Sequence, residues 1–287
     1  MQLVTAAIAT GERCDGFDYR IYHRFHQQAE LAYLEHTRLP SDEPDRGKWL
    51  QRLIELLSYE LHRRQHQTKP QLAAALIEQM AVSEVTPDVY TVDSALFAPV
   101  MIEAIENQGK PWLADSEKTR LVFWQGQTFN CETFAQSRPD QAYRPVTLNR
   151  HGQEKTFWGY TCVVRIKKYG KVRLAVISDQ PDRQGKPIYC CTRMLTWNAQ
   201  KILQVRCHRW DIEPLHEQIK QFLGAEDSQL QTAAGVRRHP RLVFVVNSLL
   251  KSRDSESTHR GSANDRVPKR LAHVWSTLSP HPVGGVP

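Results

Sequence analysis

No run in this 287-residue sequence approaches the roughly 18 to 20 consecutive apolar residues that a membrane-spanning helix needs, which excludes an integral helical membrane protein. Met1 to Thr10 carries no charged leader and runs straight into Gly11-Glu12-Arg13-Cys14, so no secretory signal is read and a cytoplasmic location is expected. The cysteines Cys14, Cys131, Cys162, Cys190, Cys191 and Cys207 contain no Cys-x-x-Cys pair. Adjacent Cys190 and Cys191 would face opposite sides of a strand, so reduced, packed thiols are expected rather than disulfides. No Walker or dinucleotide glycine motif is present, so no nucleotide cofactor is indicated, and no internal repeat is found. Acids are also short: 31 Asp plus Glu stand against 38 Lys plus Arg, a formal charge of +7. Such a balance points to a polyanionic partner, nucleic acid first.

What is present is ordinary globular material. Hydrophobic residues make up 40% and charged residues 24%, and seven Trp, nine Tyr and nine Phe supply a core for one large domain or two small ones. Gln2 to Thr10 and Phe17 to Tyr22, separated by the break at Gly11 to Gly16, read as a hairpin. Leu39 to Gly47 is a loop by composition, and Trp49 to His62 is a helix candidate. Gln71 to Met80, with Leu72, Leu76 and Met80 four apart and Pro70 ahead of them, reads as a short amphipathic helix. Val89 to Ser94 is a buried-type strand containing Asp93, Pro99 to Asn107 is a helix closed by Gly109, and Trp112 to Asp115 is a following strand. Strand, helix and strand in that order predict an α/β arrangement.

Residues 118 to 178 hold eleven Lys or Arg against three acids, more than the excess of the whole chain. Thr161 to Ile166 and Val172 to Ile177 flank Lys168-Tyr169-Gly170-Lys171 as a hairpin, so residues 118–187 are expected to form a basic, β-rich insertion. A solvated sheet face is the plainer reading, but the interleaved Trp124, Phe129, Tyr143, Phe157, Trp158 and Tyr160 favour DNA, with Arg165, Lys167, Lys168 and Lys171 as contacts. Ile188 to Leu195 reads as a strand. From Thr196, a candidate cap, a helical pattern runs through Ile202, Val205, Ile212, Leu215, Ile219 and Phe222 to Gly224. Ala233 to Leu250 is again helical with a break at Pro240. Beyond Lys251 a disordered tail is expected, with a short helix around Leu271 to Leu278.

On the long helix, Arg209, Glu213, His216, Glu217 and Lys220 fall along one stripe, by periodicity alone most simply a salt-bridged exposed face. His62 and His66 sit four apart, but Arg63 and Arg64 between them would repel a metal, so a solvated helix end is preferred. His208 and His216 read as surface residues or phosphate contacts, and Asp115 and Glu117 as partners for nearby Lys118 and Arg120. Arg237-Arg238-His239-Pro240-Arg241 is a small basic cluster suited to a DNA backbone.

The spacing Arg, three residues, Glu, six residues, Lys at Arg209, Glu213 and Lys220, with Trp210 and Ile212 between and Leu223-Gly224 after, resembles the C-terminal signature of bacterial insertion-sequence transposases of the DDE type. Arg206 stands where that family usually has Tyr. Thr91-Val92-Asp93-Ser94 is similar to the strand carrying the family's second catalytic Asp, and Trp112 to Arg120 to the strand that follows; the likeness spans roughly residues 1–250. The resemblance implies a ribonuclease H-like mixed sheet with helices: a core over residues 1–117 and 188–250, the basic insertion between, and a tail over 251–287. It implies Asp93 and Glu213 as catalytic metal ligands for two Mg²⁺ ions, with Mn²⁺ as substitute, and Arg209 and Lys220 as phosphate contacts. Double-stranded DNA is the implied partner, with a homodimer in the synaptic complex.

In that family the first catalytic Asp lies on a strand upstream of the hairpin that Gln2 to Tyr22 resembles, which here precedes Met1. Asp15 and Asp18 do not match its position. The expectation is a transposase shortened at its N-terminus, binding DNA but one ligand short of cutting it. The alternative is a non-catalytic DNA-binding remnant; a weaker third reading is an unrelated metal-dependent nuclease.

Overall fold

The computed structural model describes residues 2–10, 13–36, 46–150, 152–180, 185–221, 235, 238–247 and 271–276. The chain opens with the antiparallel hairpin β1 (Gln2–Thr10) and β2 (Arg13–Tyr22), whose register shifts between Ala6 and Ala7. Three helices follow, α1 (Gln27–His36), α2 (Arg46–Gln65) and α3 (Lys69–Val82). Pro70 sits in the first turn of α3, where its missing N–H costs nothing, and the Thr68 backbone N–H donates to Gln71 Oε1 at 2.8 Å. The chain continues through β3 (Val89–Val92), α4 (Pro99–Glu106) and β4 (Trp112–Asp115). Gly109, at φ +65°, makes the left-handed turn between the last two.

Residues 118–187 then contribute β5 (Leu121–Trp124), β6 (Gln127–Asn130), α5 (Cys131–Gln136), β7 (Arg144–Arg150), β8 (Gln153–Ile166) and β9 (Gly170–Ser178). After β10 (Ile188–Thr192) come α6 (Ala199–Cys207), α7 (Ile212–Gln221), α8 (residues 238–247) and β11 (Leu271–Ser276).

The described strands join in one mixed sheet, in the order β2-β1-β11-β3-β4-β10-β9-β8-β5-β6, with β7 on the flank of β8. β11, β3 and β4 run parallel; the other pairs are antiparallel. The strands of the basic segment thus continue the sheet beyond β10. Alternating side chains send Tyr90, Val92, Trp112, Leu174 and Val176 to one face, against Leu76, Ile77 and Met80 of α3 and Met101 and Ile105 of α4. The other face packs Val89, Leu113, Ala175 and Ile177 against Ile202, Val205, Ile212 and Leu215 of α6 and α7. A sheet covered on both faces makes this a mixed α/β protein, as the alternation of elements predicts. No helix among the described residues is long and apolar enough to cross a membrane.

Three expectations are corrected. The helical pattern from Thr196 onward is not one helix: α6 begins one residue after Asn198, whose side chain accepts from the Lys201 N–H at 2.9 Å, so Asn198 rather than Thr196 caps it. A 3₁₀ turn, His208–Asp211, then separates α6 from α7. Pro240 does not break its segment; it lies within α8. Leu271–Ser276, expected as helix, is a strand seated between β1 and β3. The rest of the predicted tail, most of the Leu39 to Gly47 loop and the helix closure at Gly224 lie outside the described residues.

Candidate functional site

β3 and β4 pair in parallel through Val92 and Ala114, so one step further the register sets Asp93 alongside Asp115 at the carboxyl edge of the sheet. That edge is where α/β folds place their ligand sites. Asp93 leaves the strand extended (φ −68°, ψ 152°), and Ser94 starts a 3₁₀ turn held by the Leu96 N–H to Asp93 carbonyl bond at 3.0 Å. On the other side of β3, one step past the pair of Val274 with Val92, the register of the parallel β11 falls on Trp275. That strand end carries no carboxylate.

α6 and the 3₁₀ turn supply the cations. Arg206 grips both oxygens of Asp115, Nε to Oδ1 at 2.9 Å and a terminal nitrogen to Oδ2 at 3.0 Å. Arg209 Nε reaches the same Oδ2 at 3.0 Å, while its terminal nitrogen meets Glu213 Oε1 at 3.3 Å, one helical turn on. Arg206 and Arg209 are buried, so the pairs are shielded from solvent; Glu213 is half exposed. Burial pushes the Asp93 carboxyl above its ordinary range, with Arg209 pulling it down and Asp115 adding to the rise. Arg209 is therefore the charge common to Asp93, Asp115 and Glu213. Ser94 Oγ donates to Glu117 at 2.7 Å, adding a fourth acid to the rim.

The basic hairpin is keyed to this rim. β8 and β9 meet through Lys167, Lys168 and Tyr169, with Lys168 and Gly170 both left-handed (φ 74° and 72°). Tyr169 packs on Phe97 with ring centroids 4.5 Å apart and donates its hydroxyl to the Phe97 carbonyl at 3.1 Å, and Phe97 lies just after the turn begun by Ser94. Arg120 covers the Phe97 ring at 4.3 Å. Arg165, Lys167, Lys168 and Lys171 are all exposed, and among the described residues none forms an ion pair. Arg165 and Lys171 stand directly opposite each other in the register, a like-charge pair that weakens the hairpin. A further cleft is lined by Arg150, Lys155, Lys186 and Trp210, the last packed against Arg206 at 5.2 Å.

The Lys220 side chain lies outside the described residues. Asp115 pairs with Arg206 and Arg209, and Glu117 with Ser94, not with Lys118 and Arg120; those two meet Glu132 and the Phe97 carbonyl. His216 bonds the Thr5 hydroxyl of β1 at 2.9 Å, and His208 lies 3.6 Å from Asp211 within the same 3₁₀ turn. His66 packs on Phe25 and Tyr22. Asp18 pairs with Arg20 at 2.9 Å. Five of the six cysteines are buried; burial pushes the Cys131 thiol up to about 11 and the Cys190 thiol well above its ordinary value, so these are inert packing groups. Arg206 was legible in the sequence only as the place where Tyr was expected.

Asp93 and Glu213 offer the oxygen donors that a hard divalent cation takes. Among the described residues, no group of three or more His, Cys, Asp or Glu side chains is arranged to hold a metal ion. Asp115, the nearest further carboxylate, is already occupied by two guanidinium groups. Two carboxylates, Glu213 itself paired with Arg209, do not complete a two-ion site. No protein-family model matches the chain, and no curated protein matches it.

Proposed function

We propose that the chain is a DNA-binding protein of the DDE-transposase type, with a ribonuclease H-like core. In this reading Asp93 and Glu213 are two carboxylates of a phosphoryl-transfer site, and the chain as it stands binds double-stranded DNA without cutting it. The observation that carries the reading is the junction at Phe97: the turn after Asp93 is bolted to the tip of the cationic hairpin through Tyr169. A DNA backbone lying along Arg165, Lys167, Lys168 and Lys171 would therefore pass close to the acidic edge. The four cations neutralise phosphates and set position; they read no sequence.

In the family resembled, Mg²⁺ ions held by acidic residues activate the attacking oxygen and stabilise the leaving one. Here the side chains that would hold such an ion, Asp93 and Glu213, fall short of a full ligand set, so no cleavage step is assigned. One observation favours the narrower reading of a purely DNA-binding remnant: Arg206 and Arg209 neutralise Asp115 from within the fold, a device for holding structure together rather than for holding metal.

The test is a labelled duplex titrated with purified protein in Mg²⁺ or Mn²⁺. Expected are affinity that falls as salt rises and no strand cleavage. Salt-independent or absent binding overturns the DNA reading. Robust cleavage abolished by Glu213→Gln overturns the non-cleaving one.

A further inference from the structure

α2 is built inside out. Its least exposed side carries Arg52, Glu55 and Tyr59: Arg52 and Glu55 pair with each other at 3.3 Å, and Tyr59 is buried with its ring 5.8 Å from that of Phe25. The opposite side carries Trp49, Leu50, Leu53, Ile54, Leu57 and Leu61, each more than half exposed. The neighbouring α1 adds exposed Leu31 and Tyr33. Large apolar residues concentrated on one helix are the reverse of the amphipathic arrangement that settles a helix on its own protein.

The stripe has a spacing that suits a second copy of the same helix. Leu50, Ile54, Leu57 and Leu61 follow one another at intervals of four, three and four, which is the seam of a coiled coil. The same intervals read backwards are unchanged. An antiparallel copy of the helix therefore sets Leu50 against the partner's Leu61 and Ile54 against the partner's Leu57, with no residue out of step. Antiparallel pairing also aligns the two helix dipoles favourably. Fully covered, the six exposed side chains would bury at most on the order of 600–700 Å² per copy, a little under the ~800 Å² per partner of a standard interface.

We infer that α2 is the dimerisation helix of this protein, pairing with α2 of a second copy in an antiparallel, two-fold contact. The charges on α2 give the contact a signature. Arg46, Lys48, Arg52, Arg63 and Arg64 outnumber Glu55 and Glu60, and the basic residues gather at both ends, so antiparallel pairing brings basic ends together. Salt screens that repulsion, so dimerisation tightens as salt rises, opposite to DNA binding.

Sedimentation of the full chain tests this. The expected result is a dimer that strengthens with salt. Leu57→Glu, which sets a charge in the middle of the seam, is expected to weaken association by about 30-fold or more, with the melting temperature of the dissociated monomer unchanged. Val82→Glu, at a solvent-facing site outside the seam, leaves association as it was. As a second measurement, Leu50→Cys combined with Leu61→Cys should cross-link two chains under mild oxidation, and neither single substitution should. A monomer at all salt concentrations overturns the inference: with a Leu57→Glu loss of melting temperature it means the chain covers the stripe itself, and without one it means the stripe serves a different protein. Cross-linking by Leu50→Cys alone overturns the antiparallel order.

Discussion

At the carboxyl edge of β3 and β4, buried guanidinium groups answer the acids: Asp115 is held by Arg206 and Arg209, and Glu213 by Arg209. At the tip of β8 and β9 four cations stand in solvent, and Arg165 faces Lys171 directly. The first region uses charge to fix its own geometry, since a buried pair locks the ends of β4 and α6 and the turn after α6 relative to one another. The second keeps charge at a cost to its own strand pairing, a cost that the proposed DNA contact would offset. The two lie side by side because Tyr169 is packed on Phe97.

The largest effect expected from breaking this contrast is at the buried pair. Asp115→Ala leaves two guanidinium groups buried with one carboxylate fewer, a loss of about 3–5 kcal/mol, seen as a fall in melting temperature on the order of 10 °C. A change within a degree would mean that the pair is solvated. Next comes the hairpin: replacing Arg165, Lys167, Lys168 and Lys171 together by Ala should cut DNA affinity at low salt by about tenfold or more, with folding unimpaired or slightly improved because the Arg165–Lys171 repulsion is gone. Thermal melting alongside a binding titration separates the two.

Tyr169→Phe removes the hydrogen bond to the Phe97 carbonyl and keeps the ring contact. A loss of about 1 kcal/mol in denaturant unfolding is expected. The smallest effect is at Asp93. Its carboxyl is raised in the fold by burial, so the stability tied to its neutral form is full below the ordinary carboxylate value and is lost as pH rises through the raised value. At neutral pH Asp93→Asn should therefore be more stable than the unaltered chain by about 0.5–1 kcal/mol, and the difference should vanish in acid. Equal stability at both pH values would place Asp93 in solvent.

Elements fixed by local pattern were legible in the sequence. The β1–β2 hairpin, α3, β3, α4 and β4 follow from period and punctuation; the pattern gave Asp93 as the acid at the end of a short buried strand, and the family resemblance gave it a role. Elements fixed by distant partners were not. Leu271-Ala272-His273-Val274-Trp275-Ser276 is too short an apolar run to separate strand from helix by period, and only β1 and β3 make it a strand. The 3₁₀ turn at His208–Asp211 hides in a continuous apolar rhythm, and it is this turn that aims Arg209 back at Asp115. The partners of Asp115 lie far along the chain, whereas the sequence offered Lys118 and Arg120 close by. The exposed stripe of α2 was legible as a helix but not as a surface, because periodicity gives a face without saying what it faces.

The most direct test of the central claim is the salt dependence of DNA affinity, measured for the unaltered chain and for the variant lacking Arg165, Lys167, Lys168 and Lys171. Each phosphate contact contributes a slope of about 0.9 in log affinity against log salt, so the variant's slope should be shallower by about 3 to 4. Equal slopes for the two proteins would contradict the account, because the hairpin cations would then be a solvated sheet face and nothing more.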